Sequence, residues 1–164
     1  GARVAEISCH YGSSLASHSF IRCVEVAFED ERGARYSPGP RGRPGGKSGR
    51  LELRVMEYLN FARATFAPHY GRLCLESLEL GTSSGRVSHF GSERPRGEQR
   101  VVDLRGLEFQ IAGIHGTYKD MLENVGFYVC ALSINTVGGH PGVFYDGSEL
   151  SCDDPEDDTP SAGA

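Results

Sequence analysis

The 164-residue sequence contains no apolar run of about 18 residues or more, so no segment is expected to cross a membrane as a helix. Residues 1–20 lack a basic start followed by an apolar stretch, and no signal peptide is read there. No stretch sustains a helical period; residues 118–125 suggest one over too few positions to nucleate a helix. The five cysteines, Cys9, Cys23, Cys74, Cys130 and Cys152, include no CxxC pair, and neither they nor the six histidines have zinc-site spacing, so no metal and no cofactor is expected. No Ser/His/Asp order can be singled out among the plentiful serines, which leaves nucleophilic catalysis without a foothold. A formal charge of -5 would repel a phosphate backbone, and no nucleic-acid partner is expected.

What the chain does have is turn chemistry. Its 22 glycines and 8 prolines punctuate short apolar runs, a pattern that favours a sandwich, barrel or prism over a helical bundle. Strands are expected over residues 4–11, 20–29, 50–55, 58–66, 73–80, 85–90, 100–104, 108–115 and 126–134. In the second of these, Phe20, Arg22, Val24, Val26 and Phe28 share one face, the period of two expected of a half-buried strand. Cys9, Cys23, Cys74 and Cys130 fall inside such runs and read as small buried hydrophobes, with one or two disulfides in a secreted or extracytoplasmic protein as the alternative.

Two segments stand apart. Residues 31–49 hold six glycines and three prolines and read as a long loop rather than a regular element; with Arg50 they concentrate Arg32, Arg35, Arg41, Arg43 and Lys47. Residues 151–164, with Asp153, Asp154, Glu156, Asp157 and Asp158, have little to bury and read as a disordered acidic tail.

The sequence also repeats. Residues 57–80 can be laid on residues 108–127, each a strand, a loop bearing a tyrosine (Tyr70, Tyr118) and a second strand; a weaker third copy joins residues 6–12 to residues 21–26. Copies about 50 residues apart indicate β units that each need the others to bury an apolar face. Glu76 and Glu123 take matching places in two copies, but equivalent positions around a threefold axis stand well apart, so a paired-carboxylate hydrolase is not expected.

Several segments in order carry a resemblance: Val24-Glu25-Val26-Ala27-Phe28 with its acidic turn, Pro44-Gly45-Gly46-Lys47 before Leu51-Glu52-Leu53, Glu57-Tyr58-Leu59, Leu75-Glu76-Ser77-Leu78, His89-Phe90-Gly91, Ala112-Gly113-Ile114-His115-Gly116 and Val125-Gly126-Phe127-Tyr128. Over roughly residues 4–134 they resemble a jacalin-related lectin domain. The resemblance implies an all-β fold, the β-prism I, of three four-stranded antiparallel sheets with pseudo-threefold symmetry, over residues 1–150. Residues 136–150 are then expected to be a permuted first strand, the start of another module, or an unrelated tail.

Members of that family bind sugars through a Gly-x-x-x-Asp loop in the last hairpin and a glycine-rich loop near the amino terminus. Carried over without gaps, the first loop falls on Lys119, Asp120, Met121, Leu122 and Glu123, so Lys119 stands in place of the glycine and Glu123 in place of the aspartate. Asp120 offers an acid in a shifted register, and Tyr118 a stacking face. The glycine-rich strand is missing ahead of Val4, and a similar string bearing Gly138 and Gly139 follows the last hairpin. The implied carbohydrate site comprises these residues with His69, Tyr70, Gly71 and Arg72 from the matching hairpin tip, and the implied partners are glycans. The alternative is a non-catalytic interaction domain that meets a protein or an anionic membrane surface through Arg41, Arg43, Lys47 and Arg50.

Overall fold

The computed structural model describes residues 1–12, 20–119, 121–135 and 142–144. Gly138 and Gly139, Asp120 and the acidic tail lie outside the described residues. All regular structure among them is β: β1 (Ala2–Tyr11), β2 (Ile21–Asp30), β3 (Arg35–Tyr36), β4 (Arg41–Gly42), β5 (Lys47–Glu52), β6 (Leu59–His69), β7 (Arg72–Thr82), β8 (Val87–Gly91), β9 (Glu98–Asp103), β10 (Phe109–Tyr118), β11 (Leu122–Ala131), β12 (Ser133–Asn135) and β13 (Gly142–Phe144).

The three sequence copies are three antiparallel hairpins, β1–β2, β6–β7 and β10–β11. Each is interrupted twice, at matching places. Near the start of the first strand the hairpin register skips Ala5, Asn60 and Ala112; near the start of the second it skips Arg22, Glu76 and Glu123. A bulge adds a residue to one strand and sharpens the local twist, so matched bulges bend all three hairpins alike around a shared centre.

Flanking strands extend the first two hairpins in the same order. β5 pairs with β1 and β9 with β6, while β3 and β4 pair with β2 and β8 with β7. Three sheets of four strands are not what the hydrogen bonds give, however. The ladders form one five-stranded sheet, one six-stranded sheet and a separate β12–β13 pair. Two causes are visible. Pro38 and Pro40, which cannot donate to a ladder, split one edge into β3 and β4. The single pair Ile111↔Leu59 then joins the second and third faces into one ladder.

The basic stretch also departs from expectation. Instead of a long free loop, residues 31–49 run as an edge along β2 and then into β5 beside β1.

Ile7, Cys9, Ile21 and Val24 from the first hairpin meet Leu59, Ala64, Phe66, Leu75, Leu78 and Leu80 from the second and Ile111 and Leu122 from the third in one core. Burying each of the larger side chains contributes about 1.5–3 kcal/mol. Cys9, Cys23, Cys74 and Cys130 are buried free thiols, so the disulfide alternative does not hold for them. Burial pushes the Cys9, Cys23 and Cys74 thiols up, away from the reactive thiolate.

One end of the prism is tied by a buried carboxylate. Glu57 accepts the Arg54 N–H at 2.8 Å, the Thr82 hydroxyl at 2.7 Å and the Arg86 Nε–H at 2.9 Å, with Ser84 and the Arg86 Nη2 as further donors. This joins the β5–β6 connection to the β7–β8 turn. The Arg86 guanidinium holds the Glu57 carboxyl well below its ordinary value of 4.5. A depressed folded-state value means that the stabilisation is complete above that ordinary value and is lost as pH falls below it.

Glu57→Gln is expected to lower the unfolding free energy by about 2–4 kcal/mol near neutral pH. It should also flatten the loss of stability that wild type shows in acid, as read by urea titrations on both sides of the ordinary carboxylate value. Thiol labelling should leave Cys9, Cys23, Cys74 and Cys130 unmodified in the native protein and modify all four once denaturant is added.

Candidate functional site

The hairpin tips β6–β7 and β10–β11 come together at the end of the prism opposite Glu57. The first is a two-residue turn in which Tyr70 and Gly71 both have positive φ, 47° and 74°. That is the requirement of a type I′ turn, whose twist matches the flanking strands. Glycine meets it freely, whereas the tyrosine is held there at a cost of roughly 1 kcal/mol. The turn carries the Tyr70 ring to 94% exposure, the highest among the large hydrophobic residues exposed at the surface. His69 packs between the Tyr70 ring, 4.6 Å away edge-on, and Phe20, 4.5 Å away at the start of the first hairpin.

His69, Tyr70 and Arg72 face Lys119, Met121 and Glu123 across a hollow of about 420 Å³ that also touches Cys74. The Arg72 Nη1 donates to the Glu123 Oε1 at 2.7 Å, locking the two tips together. On the far side of this pair lies a second hollow of about 530 Å³, lined by Phe66, Leu73, Arg100, Thr117 and Asn124 as well as Arg72 and Glu123.

Six of the nine described residues of the sequence-expected site therefore line the first hollow. Leu122 does not: it is 3% exposed and supports the loop from the core. Gly71 shapes the turn without lining the hollow, and half-exposed Tyr118 does not line it either. Arg100, Thr117 and Asn124 were not expected. Asn124 adjoins the carried-over loop, but Arg100 comes from β9 by sheet pairing and leaves no local signal.

Arg41, Arg43, Lys47 and Arg50 do not form a single patch. Arg41 lies on the β4 edge beyond β2, whereas Lys47 and Arg50 lie on β5 at the other edge, beyond β1. The Arg43 N–H donates to the Arg22 carbonyl at 3.1 Å, and the Arg50 guanidinium stands 3.8 Å from Glu6.

The matched bulges allow the three tips to be compared. Glu76 is buried, and its Oε2 accepts the backbone N–H groups of Arg96 and Gly97 at 3.0 and 3.1 Å. The loop can approach so closely because Gly97 lacks a side chain; a Cβ there would lie 1.7 Å from the Phe66 carbonyl oxygen. In the first hairpin the equivalent residue is Arg22, whose guanidinium lies under Gly45. Its Nε is buried without a hydrogen-bond partner among the described residues. Glu123 differs from both. Its side chain is 29% exposed, and Arg72 is its one hydrogen-bond partner among the described residues. A carboxylate in that position can accept hydrogen bonds from the hydroxyls of a ligand.

Among the described residues no group of three or more His, Cys, Asp or Glu stands close enough to hold a metal ion.

Three bulged hairpins around one core, with the β6–β7 and β10–β11 tips meeting at one end, define a β-prism of the kind lectins use. An agglutinin of Calystegia sepium is similar, with 16% identity and a TM-score of 0.66 over 79% of this chain and 83% of that one. A mannose-binding jacalin-related lectin from Ananas comosus has 22% identity and a TM-score of 0.65 over the same shares. A galactose-specific lectin from Artocarpus hirsuta, solved with methyl-α-D-galactose, has 19% identity and a TM-score of 0.64 over 79% of this chain and 94% of that one. A family model described as Jacalin-like lectin domain matches residues 7–128, and the chain belongs to that family. No curated protein matches the sequence significantly.

The two equivalent carboxylates should separate in a stability assay. Glu76→Gln, which sets an amide nitrogen against buried donors, is expected to cost about 2–3 kcal/mol. Glu123→Gln, on the open tip, should cost under about 1 kcal/mol. Urea unfolding of the two variants measures the difference.

Proposed function

We propose that the chain is a non-catalytic carbohydrate-binding module whose site is the hollow between the β6–β7 and β10–β11 tips. The observation that carries this reading is the position of Glu123. It is the bulged acid of the third hairpin, it falls where the family's loop places its aspartate, and unlike Glu76 it is not sealed by its own backbone. Sugar recognition needs a carboxylate and other polar groups converging on vicinal hydroxyls, with an aromatic face to cover the apolar side of the ring. Glu123 supplies the acid, Arg72 and Lys119 supply donors, and the exposed ring of Tyr70 supplies the face.

Lys119 takes the place of the family's glycine. The side chain that it adds narrows the loop, and Glu123 reaches one methylene further than the aspartate would. These two changes set the ligand apart from those of the structurally similar lectins, which themselves divide between mannose and galactose.

A second reading rests on the Arg72–Glu123 pair. With the carboxylate engaged at 2.7 Å, the same surface serves as an interaction face that attaches to a protein or an anionic membrane without binding sugar.

A glycan array probed with wild type and with Glu123→Ala decides between the two. Binding above background that Glu123→Ala weakens at least about tenfold supports the first reading. An array with no glycan above background leaves the second.

A further inference from the structure

We infer that the saccharide recognised at this site is acidic, carrying a carboxylate or sulfate group, rather than a neutral hexose. The inference rests on the carbohydrate-binding reading above and names the ligand class for that same site.

The charge balance around the tips carries it. The whole chain has a formal charge of -5. Yet among the described residues the two hollows that share the Arg72–Glu123 pair are lined by Arg72, Lys119 and Arg100 against the one carboxylate of Glu123. Lys119 overlooks one hollow and Arg100 the other, so an elongated ligand lying across the pair meets a cation on each side. Arg100 is held over the Phe66 ring, 5.9 Å from its centroid. Its ion pair with Glu98 is long, at 4.0 Å, and both side chains are more than half exposed. An exposed pair of that kind contributes little and gives way readily to a better-placed anion.

The pair itself points the same way. The Glu123 Oε1 already accepts from Arg72, which leaves Oε2 for the hydroxyls of any sugar, neutral or acidic. An anionic group gains a further contact, because Glu123 engages only the Nη1 of Arg72, whose side chain is half-exposed. Planar two-point recognition of carboxylate and sulfate is what guanidinium geometry favours. Thr117 and Asn124 beside Arg100 provide for ring hydroxyls, and the exposed Leu73 side chain provides an apolar surface.

The full chain should be titrated with heparin-derived oligosaccharides and their desulfated forms, with oligogalacturonates and their methyl esters, and with a neutral mannose and galactose set. The sulfated or free-acid form is expected to bind at least about tenfold tighter than its neutralised counterpart, and the preferred arm identifies sulfate or carboxylate. Lys119→Gln and Arg100→Gln, which leave the Arg72–Glu123 pair intact, should each weaken that binding roughly tenfold. Neutral glycans binding as well as acidic ones would overturn the inference while leaving the lectin reading in place. Acidic binding untouched by either substitution would also overturn it, by placing the anion elsewhere. Absence of binding to every glycan would remove the lectin reading and the inference with it.

Discussion

A two-stranded hairpin exposes as much apolar surface as it covers and does not stand alone in water. Here that constraint is met three times over by one core. Ile7 and Ile21, Leu75 and Leu78, and Ile111 and Leu122 come from three different hairpins and are all buried together. The paired bulges are the means. With Ala5, Asn60 and Ala112 bulged on the first strands and Arg22, Glu76 and Glu123 bulged on the second, the three hairpins bend alike, and the β6–β7 and β10–β11 tips meet.

Equivalent backbone need not mean equivalent chemistry. One geometrical position is occupied by a half-buried arginine under Gly45, by a buried glutamate satisfied by its own chain, and by a half-open glutamate paired with Arg72. The second has been turned inward to hold a loop in place, which the missing side chain of Gly97 permits. Only the third presents its acid toward a cavity, which is why the candidate site is one hairpin tip with its neighbour and not a ring of three.

Much of the fold was legible along the chain. Alternation placed nearly every strand, because one face of each is buried and the period of two is then enforced. The exceptions are instructive. β11 begins at Leu122, earlier than expected, since the bulge at Glu123 breaks the alternation just where the strand starts. The same irregularity produced the false hint of a helix over residues 118–125. Residues 31–49 looked like a loop because proline and glycine dominate them, yet their few unrestricted residues pair with β2 as two short edges. The tips bearing His69 to Arg72 and Lys119 to Glu123 were placed by the repeat and the family resemblance, but their meeting was not. Arg100, on β9, was invisible because sheet order, not sequence distance, brings it beside Asn124.

The sequence by itself determined the class of structure: short alternating strands, three copies of one hairpin, and family membership through the order of many weak segments. Those are properties of local periodicity and spacing, which a linear chain carries openly. What only the tertiary structure decided is the state of each charged group. Whether Glu76 or Glu123 is available, whether Arg41 and Arg50 share a surface, and which cations overlook the site all depend on distances between strands remote in sequence. An electrostatic interaction depends on separation and burial in space, and residue order sets neither.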